Sequence, residues 1–326
     1  MTKRPAAAER GHPVQREYDI AVVGGGPAGL AAAIWSARFR RSVVLIDSGE
    51  VRNRWTRETH GYLTAEAMSP AELLGRARAD VARYPEIDTV HATVSRIADA
   101  EDDRFELTLA DRRAVTARRV ILATGVKDRL PDIDRFFDFY GSTVFTCPSC
   151  DGYEASGCDV VVWGSDTDVL EFAYGLLDWA ASVTIVGSEP DVGSAPVDDT
   201  GASRVRFIDG QPVAFRGSSG QLRGVVLDNR TDVPCDVFFF TVQHDQQAPF
   251  ADQLGCRRSE EGCVIVDEHC ETTVDGVYAA GDMTPGPQLV QVAAAKGAIA
   301  GVGAAMSLRK QQQPPVVRVP ARGVGR

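Results

Sequence analysis

The sequence predicts an α/β chain built of two dinucleotide-binding units, each Rossmann-like and of the three-layer ββα type, with the second inserted into a discontinuous first. Three observations carry this. An apolar strand runs into a glycine turn and an alanine-rich helix near the N-terminus, a second strand and turn begin at Asp159, and a small-residue motif ending in Gly281-Asp282 returns the chain to the first unit.

The first unit opens at Tyr18-Asp19-Ile20-Ala21-Val22-Val23, which reads as a buried strand. Gly24, Gly26 and Gly29 then give G-x-G-x-x-G, with Pro27 and Ala28 between the last two glycines and a helix expected over residues 30–41. The first glycine permits the tight turn, the second lets backbone N–H groups approach a pyrophosphate, and the third lets helix pack close on strand; the helix N-terminus favours the anion. The apolar strand 43–46 ends in Asp47, 23 residues past Gly24 (47 − 24), where an acid that grips ribose hydroxyls belongs. A glycine turn without a ligand is the bland alternative, and the agreement of strand, turn, helix and acid speaks against it. Further on, residues 120–122 form another apolar strand running into the turn Ala123-Thr124-Gly125.

Cys147-Pro148-Ser149-Cys150, followed at once by Asp151, is the stretch most suggestive of chemistry. A Cys-x-x-Cys pair closes a small, easily reduced ring and suits thiol–disulfide exchange. Half of a zinc site is the alternative, but zinc takes about four ligands and neither a second Cys-x-x-Cys nor a nearby His pair completes the set. No metal is expected. Of the seven cysteines, Cys158 and Cys235 read as core or near-surface thiols, Cys158 with a secondary claim as a resolving thiol. Cys256, Cys263 and Cys270 recur every seven residues in a segment of strand-like and turn-like character, and no metal site is read there.

In the order FAD fingerprint, Ala-Thr-Gly turn, Cys-x-x-Cys-Asp, then Thr272-Thr273-Val274-Asp275-Gly276-Val277-Tyr278-Ala279-Ala280-Gly281-Asp282, the chain resembles the low-molecular-weight thioredoxin reductases and their dithiol oxidase relatives among the FAD-dependent pyridine nucleotide-disulfide oxidoreductases. The resemblance runs from about Tyr18 to Leu308. It implies that Gly24, Gly26, Pro27, Ala28, Gly29, Asp47, Ala123, Thr124, Gly125 and Gly281 hold FAD, with Asp282 at the ribityl and phosphate region. Gln291 and Val292, in a helix expected over 288–305, would face the isoalloxazine. Asn53 and His60 would lie in the loop beneath the flavin, His60 bonding the ring or shuttling a proton, with a plain surface histidine as the alternative. Cys150 would lie against the flavin, Cys147 would be the outer thiol that meets substrate, and Asp151 would manage the thiolate's proton. His244, at the end of an apolar strand 237–242, reads as a hinge or cap. A homodimer is implied as well.

The second unit departs from that family. Asp159 to Trp163 is a good strand and Gly164 a good turn residue, but the expected Gly-x-Gly-x-x-Ala is Gly164-Ser165-Asp166-Thr167-Asp168-Val169. Asp166 would set a negative charge where a nicotinamide cofactor's pyrophosphate lies, a cost of roughly 3 kcal/mol at about 5 Å and an effective dielectric near 20. At the end of the next strand the basic cluster for a 2′-phosphate is replaced by Gly187-Ser188-Glu189, with no basic residue before Arg204. FAD is therefore expected as the cofactor and NADPH is doubtful.

At 326 residues the chain suffices for two full cores, and its net charge of −10 argues against nucleic acid as a partner. No unbroken apolar run of about 18 residues and no signal-peptide core are seen, so no membrane is expected and the location is read as cytoplasmic. Tails are expected at 1–16 and at 309–326, the latter with five basic residues and no acidic one. Between them lie an FAD domain of 17–127 and 245–308 and an inserted NAD(P)-binding-like domain of 128–244 that carries the cysteine pair, with a loop over 191–203. Three functions remain open. One is a thiol–disulfide oxidoreductase that oxidises a small-molecule dithiol and returns electrons to dioxygen; the second reduces a thioredoxin-like protein with NADPH or another donor; the third is a non-enzymatic flavin-binding regulator.

Overall fold

The structure is a computed structural model and describes residues 17–164, 169–188, 203–247 and 249–310. Asp166, Glu189, the loop 191–202 and both expected tails, apart from Arg309 and Lys310 in the last helix, lie outside the described residues.

The first unit is one sheet with the strands Ile87–His91, Val43–Asp47, Glu17–Val23, Ala114–Leu122, Arg104–Leu109 and Val94–Ala100 in that order. Ala114–Leu122 joins two layers. Its second half pairs in parallel with Val277–Ala279, and its first half pairs antiparallel with Arg104–Leu109. Alternation then sorts the side chains. Ile20, Val22, Leu45 and Ile121 pack with the helices, while Ala21, Val23, Val44, Ile46 and Leu122 pack with Ile97, Phe105 and Leu107 of the meander. This is the expected ββα layering.

Two helices cover the sheet. Pro27–Arg38 begins with Pro at its first position, where the missing N–H costs nothing, and starts three residues earlier than the sequence pattern put it. Val290–Lys310 lies against it through small residues: a Cβ at Gly297 would come within 2.0 Å of Ala28 O, and one at Gly301 within 2.5 Å of Ala32 O. That helix is long and apolar enough by composition to cross a membrane, but here its glycines pack on the first helix.

The insert repeats the layering. Val205–Asp209, Ser182–Gly187, Asp159–Trp163, Val237–Phe240 and Val144–Phe145 form a parallel sheet, with the helix Val169–Leu176 on one face. On the other face an antiparallel set, Pro212–Ser218, Gln221–Leu227 and Asp232–Val233, closes over Phe215, Phe238 and Phe240. The apolar strand ends at Phe240, short of the expected 242. Val126–Asp128 and His244–Gln246 then pair antiparallel, so the chain leaves and re-enters the first unit through one two-stranded ribbon. The expected boundaries at 127/128 and 244/245 both fall inside it.

One expectation fails. The segment around Cys256, Cys263 and Cys270 forms no strand, only an isolated bridge between Arg258 and Val264. Cys256 and Cys270 are buried among the apolar cores of the first unit, which explains an apolar rhythm without a ladder.

Candidate functional site

The glycine turn shows which positions serve packing and which face a ligand. Gly24 has φ +111°, donates its N–H to Ile46 O at 2.8 Å, and would drive a Cβ to 2.3 Å from Ala123 O. A Cβ on Gly29 would meet Gly24 O at 1.8 Å. Gly26 differs: a Cβ there would meet no atom within 4 Å. Gly26 is also the extended N-cap of Pro27–Arg38, with no side-chain cap on the first-turn N–H groups. Two glycines thus fix the backbone and the middle one opens onto the space in front of a helix N-terminus, a cradle that fits a dinucleotide pyrophosphate. Ala28 sits beside the second fingerprint, where a Cβ on Gly281 (φ +81°) would lie 3.0 Å from Ala28 Cβ.

Asp47 ends its strand almost buried against Gly25, whose hypothetical Cβ would fall 2.1 Å from Asp47 Cγ. Its carboxylate accepts the Gly49 N–H at 2.9 Å and pairs with Arg78 at 3.2 Å. Arg78 was not legible in the sequence, since it comes from the face of a separate helix, Pro70–Val81. In the Ala123-Thr124-Gly125 turn, Ala123 donates to Val23 O at 2.8 Å, the Thr124 hydroxyl donates to Gln247 O, and Gly125 (φ +67°) accepts from Gln247 N at 3.1 Å. The turn is thereby stitched to the returning chain.

Asp282 lies in a cluster that the sequence did not disclose. Arg52 donates to Asp282 at 3.0 Å, to Gln288 at 2.6 Å, and to both oxygens of Asp128 at 3.0 and 3.1 Å. His244 Nδ1 lies 2.7 Å from Asp128 and 3.4 Å from Arg52. Burial disfavours the charged forms, yet the hydrogen bonds and charges of Asp128 and Asp282 raise the Arg52 pKa, and those of His244 and Arg52 lower that of Asp128. Arg52 thus ties the Gly-Asp fingerprint to both strands of the connecting ribbon, and His244, the first residue of the second ribbon strand, belongs to that knot. Asn53 is in the same helical turn, Arg52–Trp55, and its carbonyl accepts the Thr56 N–H at 3.1 Å.

Cys147 and Cys150 form a disulfide, with Cα atoms 5.3 Å apart, across the short helix Pro148–Asp151. The Cys150 N–H donates to Cys147 Sγ at 3.2 Å and the Asp151 N–H to Cys147 O at 3.0 Å, so the turn holds both sulfurs and the carboxyl in one place. Burial, reinforced by the like charge of Glu154 and opposed by His60, pushes the Asp151 carboxyl up to about 7. A group of that acidity trades protons near neutral pH.

His60 connects this turn to residues 58–66. Its Nδ1 donates to Glu66 Oε1 at 3.0 Å, and its Nε2 faces Glu154 at 3.6 Å and Glu58 at 3.9 Å. Gly61 donates to the same Glu66 at 2.8 Å, and a Cβ on Gly61 would lie 3.8 Å from Gln291 Nε2. Gln291 and Val292 are in the first turn of Val290–Lys310, which starts two residues later than expected. Glu66 thus holds both His60 and the Gly61 N–H, and His60 in turn faces Glu154, three residues past Asp151.

The other thiols are placed apart from this chemistry. Burial, together with Asp236 and Asp159, raises the Cys158 pKa, and burial pushes Cys235 up to about 12, so neither is a ready thiolate at neutral pH. Among the described residues no group of three or more His, Cys, Asp or Glu side chains is placed to hold a metal.

At the matching end of the insert sheet, Gly164 is a packing glycine, its hypothetical Cβ 2.6 Å from Thr241 Oγ1. The Trp163 indole N–H donates to Gln211 Oε1 at 2.9 Å, and Gln211 Nε2 donates to Ser188 at 3.4 Å. Arg204, the first basic residue after Ser182–Gly187, donates to the carbonyls of Leu177, Ala180 and Ala181, at the opposite end of that strand.

The family model described as pyridine nucleotide-disulphide oxidoreductase matches residues 18–297. A curated relative, thioredoxin reductase tcpT of Claviceps purpurea (strain 20.1), is 29% identical over 304 residues, covering 89% of this chain and 94% of the relative. The crystal structure of HlmI is 32% identical with a TM-score of 0.81, covering 90% of this chain and 93% of that one. A structure of the putative thioredoxin reductase TrxB from Bacillus anthracis is 26% identical with a TM-score of 0.81, covering 90% and 99%.

Proposed function

Since the chain belongs to the pyridine nucleotide-disulphide oxidoreductase family and is an FAD-dependent oxidoreductase, we propose that it oxidises a small-molecule dithiol through Cys147 and Cys150, with dioxygen as acceptor and without tight NADPH binding. The observation that carries this is the disulfide Cys147–Cys150 beside a carboxyl of pKa about 7, in a chain whose cradle is open at Gly26 but whose insert has no basic cluster after Gly187.

The chemistry balances on these residues. Asp151, as carboxylate, takes the proton of one substrate thiol, and the resulting thiolate attacks Cys147 Sγ. The Cys147–Cys150 bond breaks and Cys150 leaves as thiolate. The second substrate thiol, once deprotonated, attacks the substrate sulfur of the mixed disulfide, which frees the cyclic disulfide product and the Cys147 thiolate. Two electrons now reside on the cysteine pair. What FAD supplies when bound, held by the Gly24–Gly29 turn, is a two-electron acceptor that restores the disulfide and passes the pair to dioxygen as hydrogen peroxide. The two protons given up by the substrate thiols, one by way of Asp151 and one to solvent, balance the two taken up as dioxygen becomes hydrogen peroxide.

Oxygen uptake with small dithiols tests this. One dioxygen consumed per disulfide formed, abolished by Cys147→Ser and indifferent to NADPH, is the expected result; no uptake with any small dithiol, alongside NADPH-driven reduction of thioredoxin disulfide, would replace it. That second reading, a thioredoxin-disulfide reductase, is favoured by the likeness to the thioredoxin reductases of Claviceps and Bacillus. The five further cysteines are free thiols, which accords with a cytoplasmic location.

A further inference from the structure

We propose that His60 and Glu154 form a charge pair, reaching from residues 58–66 to the redox turn, that sets the pH at which Asp151 exchanges protons. This rests on Asp151 as the acid–base of the proposed reaction. Neither residue touches a sulfur; both act through Asp151 and are positioning residues.

The geometry places the pair across a seam. His60 is anchored on its own side by Glu66, which also holds the Gly61 N–H, so the ring is fixed with Nε2 aimed at the turn Tyr153–Ala155 that follows the redox helix. Glu154 is the carboxylate it meets there, at 3.6 Å. The charged neighbours of the imidazole are all acidic: Glu58, Glu66, Glu154 and, through space, Asp151. Burial works against its charge, but the Glu66 hydrogen bond and these carboxylates raise its pKa on balance. Around Asp151 the groups felt are Glu154, which disfavours its ionisation, and His60, which favours it; Tyr140, raised to about 12, stays neutral there.

One consequence separates this from a structural clamp. Removing either partner breaks the same ion pair, so a clamp predicts the same kind of effect from both. A charge pair acting on Asp151 predicts opposite effects. His60→Gln removes the favourable positive charge, so Asp151 ionises at higher pH; Glu154→Gln removes the like charge, so it ionises at lower pH.

The test is the pH profile of anaerobic flavin reduction by dithiothreitol in the FAD-loaded enzyme and in Asp151→Asn, His60→Gln, Glu154→Gln and the double variant H60Q/E154Q. Asp151→Asn should erase the rise centred near pH 7, and persistence of that rise would overturn the acid–base reading itself. With the rise assigned, His60→Gln should displace it upward and Glu154→Gln downward, by roughly half a pH unit each, as expected for a partly screened neighbouring charge. The double variant should return close to the starting midpoint. Displacement of both single variants in the same direction, or of neither, would overturn the proposal while leaving Asp151 in its role.

Discussion

Two segments of this molecule share a strand, a first glycine and a following helix, yet their sequences differ two residues after that glycine, where one has Gly26 and the other Asp166. In the first unit Gly24 and Gly29 are jammed against backbone and Gly26 is open. In the insert Gly164 is jammed against Thr241, so the packing glycine persists, while the sequence has Asp166, outside the described residues, where the first unit has Gly26. Trp163, Gln211 and Ser188 hydrogen-bond to one another across the carboxyl ends of the insert strands, where a dinucleotide would lie in a doubly wound fold. The difference teaches that packing glycines are kept by the fold and ligand-facing ones by the ligand.

The largest expected effect is at that pair. Cys147→Ser and Cys150→Ser should each lower dithiol turnover by on the order of 10³-fold or more, because two residues acting as one unit fail together; steady-state oxygen uptake by FAD-loaded protein measures it. Near wild-type turnover in either would detach the insert from the chemistry.

Glycine substitutions probe the comparison itself. Gly24→Val places a branched side chain at φ +111° against Ala123 O and should give protein without bound FAD, read from the 450 nm band of the purified chain. Gly164→Ala should instead leave FAD bound while lowering insert stability by about 1–3 kcal/mol through overpacking against Thr241, measured by urea unfolding. Equal loss of flavin from both would mean that the two turns are not functionally distinct.

Arg52→Met tests the knot between fingerprint and ribbon. It leaves Asp128 and Asp282 without their shared partner and should cost about 2 kcal/mol, less than for a fully buried pair because Arg52 is 24% exposed. The same variant should release FAD faster.

The smallest effect concerns Asp151. Its carboxyl is raised in the folded state, so its contribution to stability is fully present below the ordinary carboxylate range and is lost as pH rises through about 7. Asp151→Asn should therefore leave the melting temperature unchanged near pH 4 and raise it by roughly 2–4 °C at pH 8, seen by differential scanning calorimetry.

Much of this was legible in the sequence where function is written locally. The Ala123-Thr124-Gly125 turn, Gly281-Asp282 and Cys147-Pro148-Ser149-Cys150-Asp151 each hold their signal within a few residues, and the strand–turn–helix at residues 18–41 within one continuous stretch. What escaped was long-range. Arg52 meets Asp128, His244 and Asp282 over separations of 76, 192 and 230 residues, and Arg78 reaches Asp47 from 31 residues away. An arginine in a loop carries no mark of its eventual partner. His60 was legible as a candidate, but the carboxylates that define it, Glu66 and Glu154, come from two different segments. Around Cys256 and Cys270 the strand-like character corresponds to burial in the first unit's cores, with turns and isolated bridges instead of a strand.

The central claim, that electrons enter through Cys147 from small dithiols and not from NADPH at the insert, is tested most directly by anaerobic stopped-flow reduction of the FAD-loaded enzyme. Dithiothreitol should bleach the flavin band rapidly, and NADPH should do so slowly or only at high concentration, since the sequence has Asp166 in place of the turn's second glycine and no basic cluster after Gly187, and each interaction so forgone is worth about 1–3 kcal/mol. Fast reduction by NADPH that saturates at micromolar concentration would contradict the account.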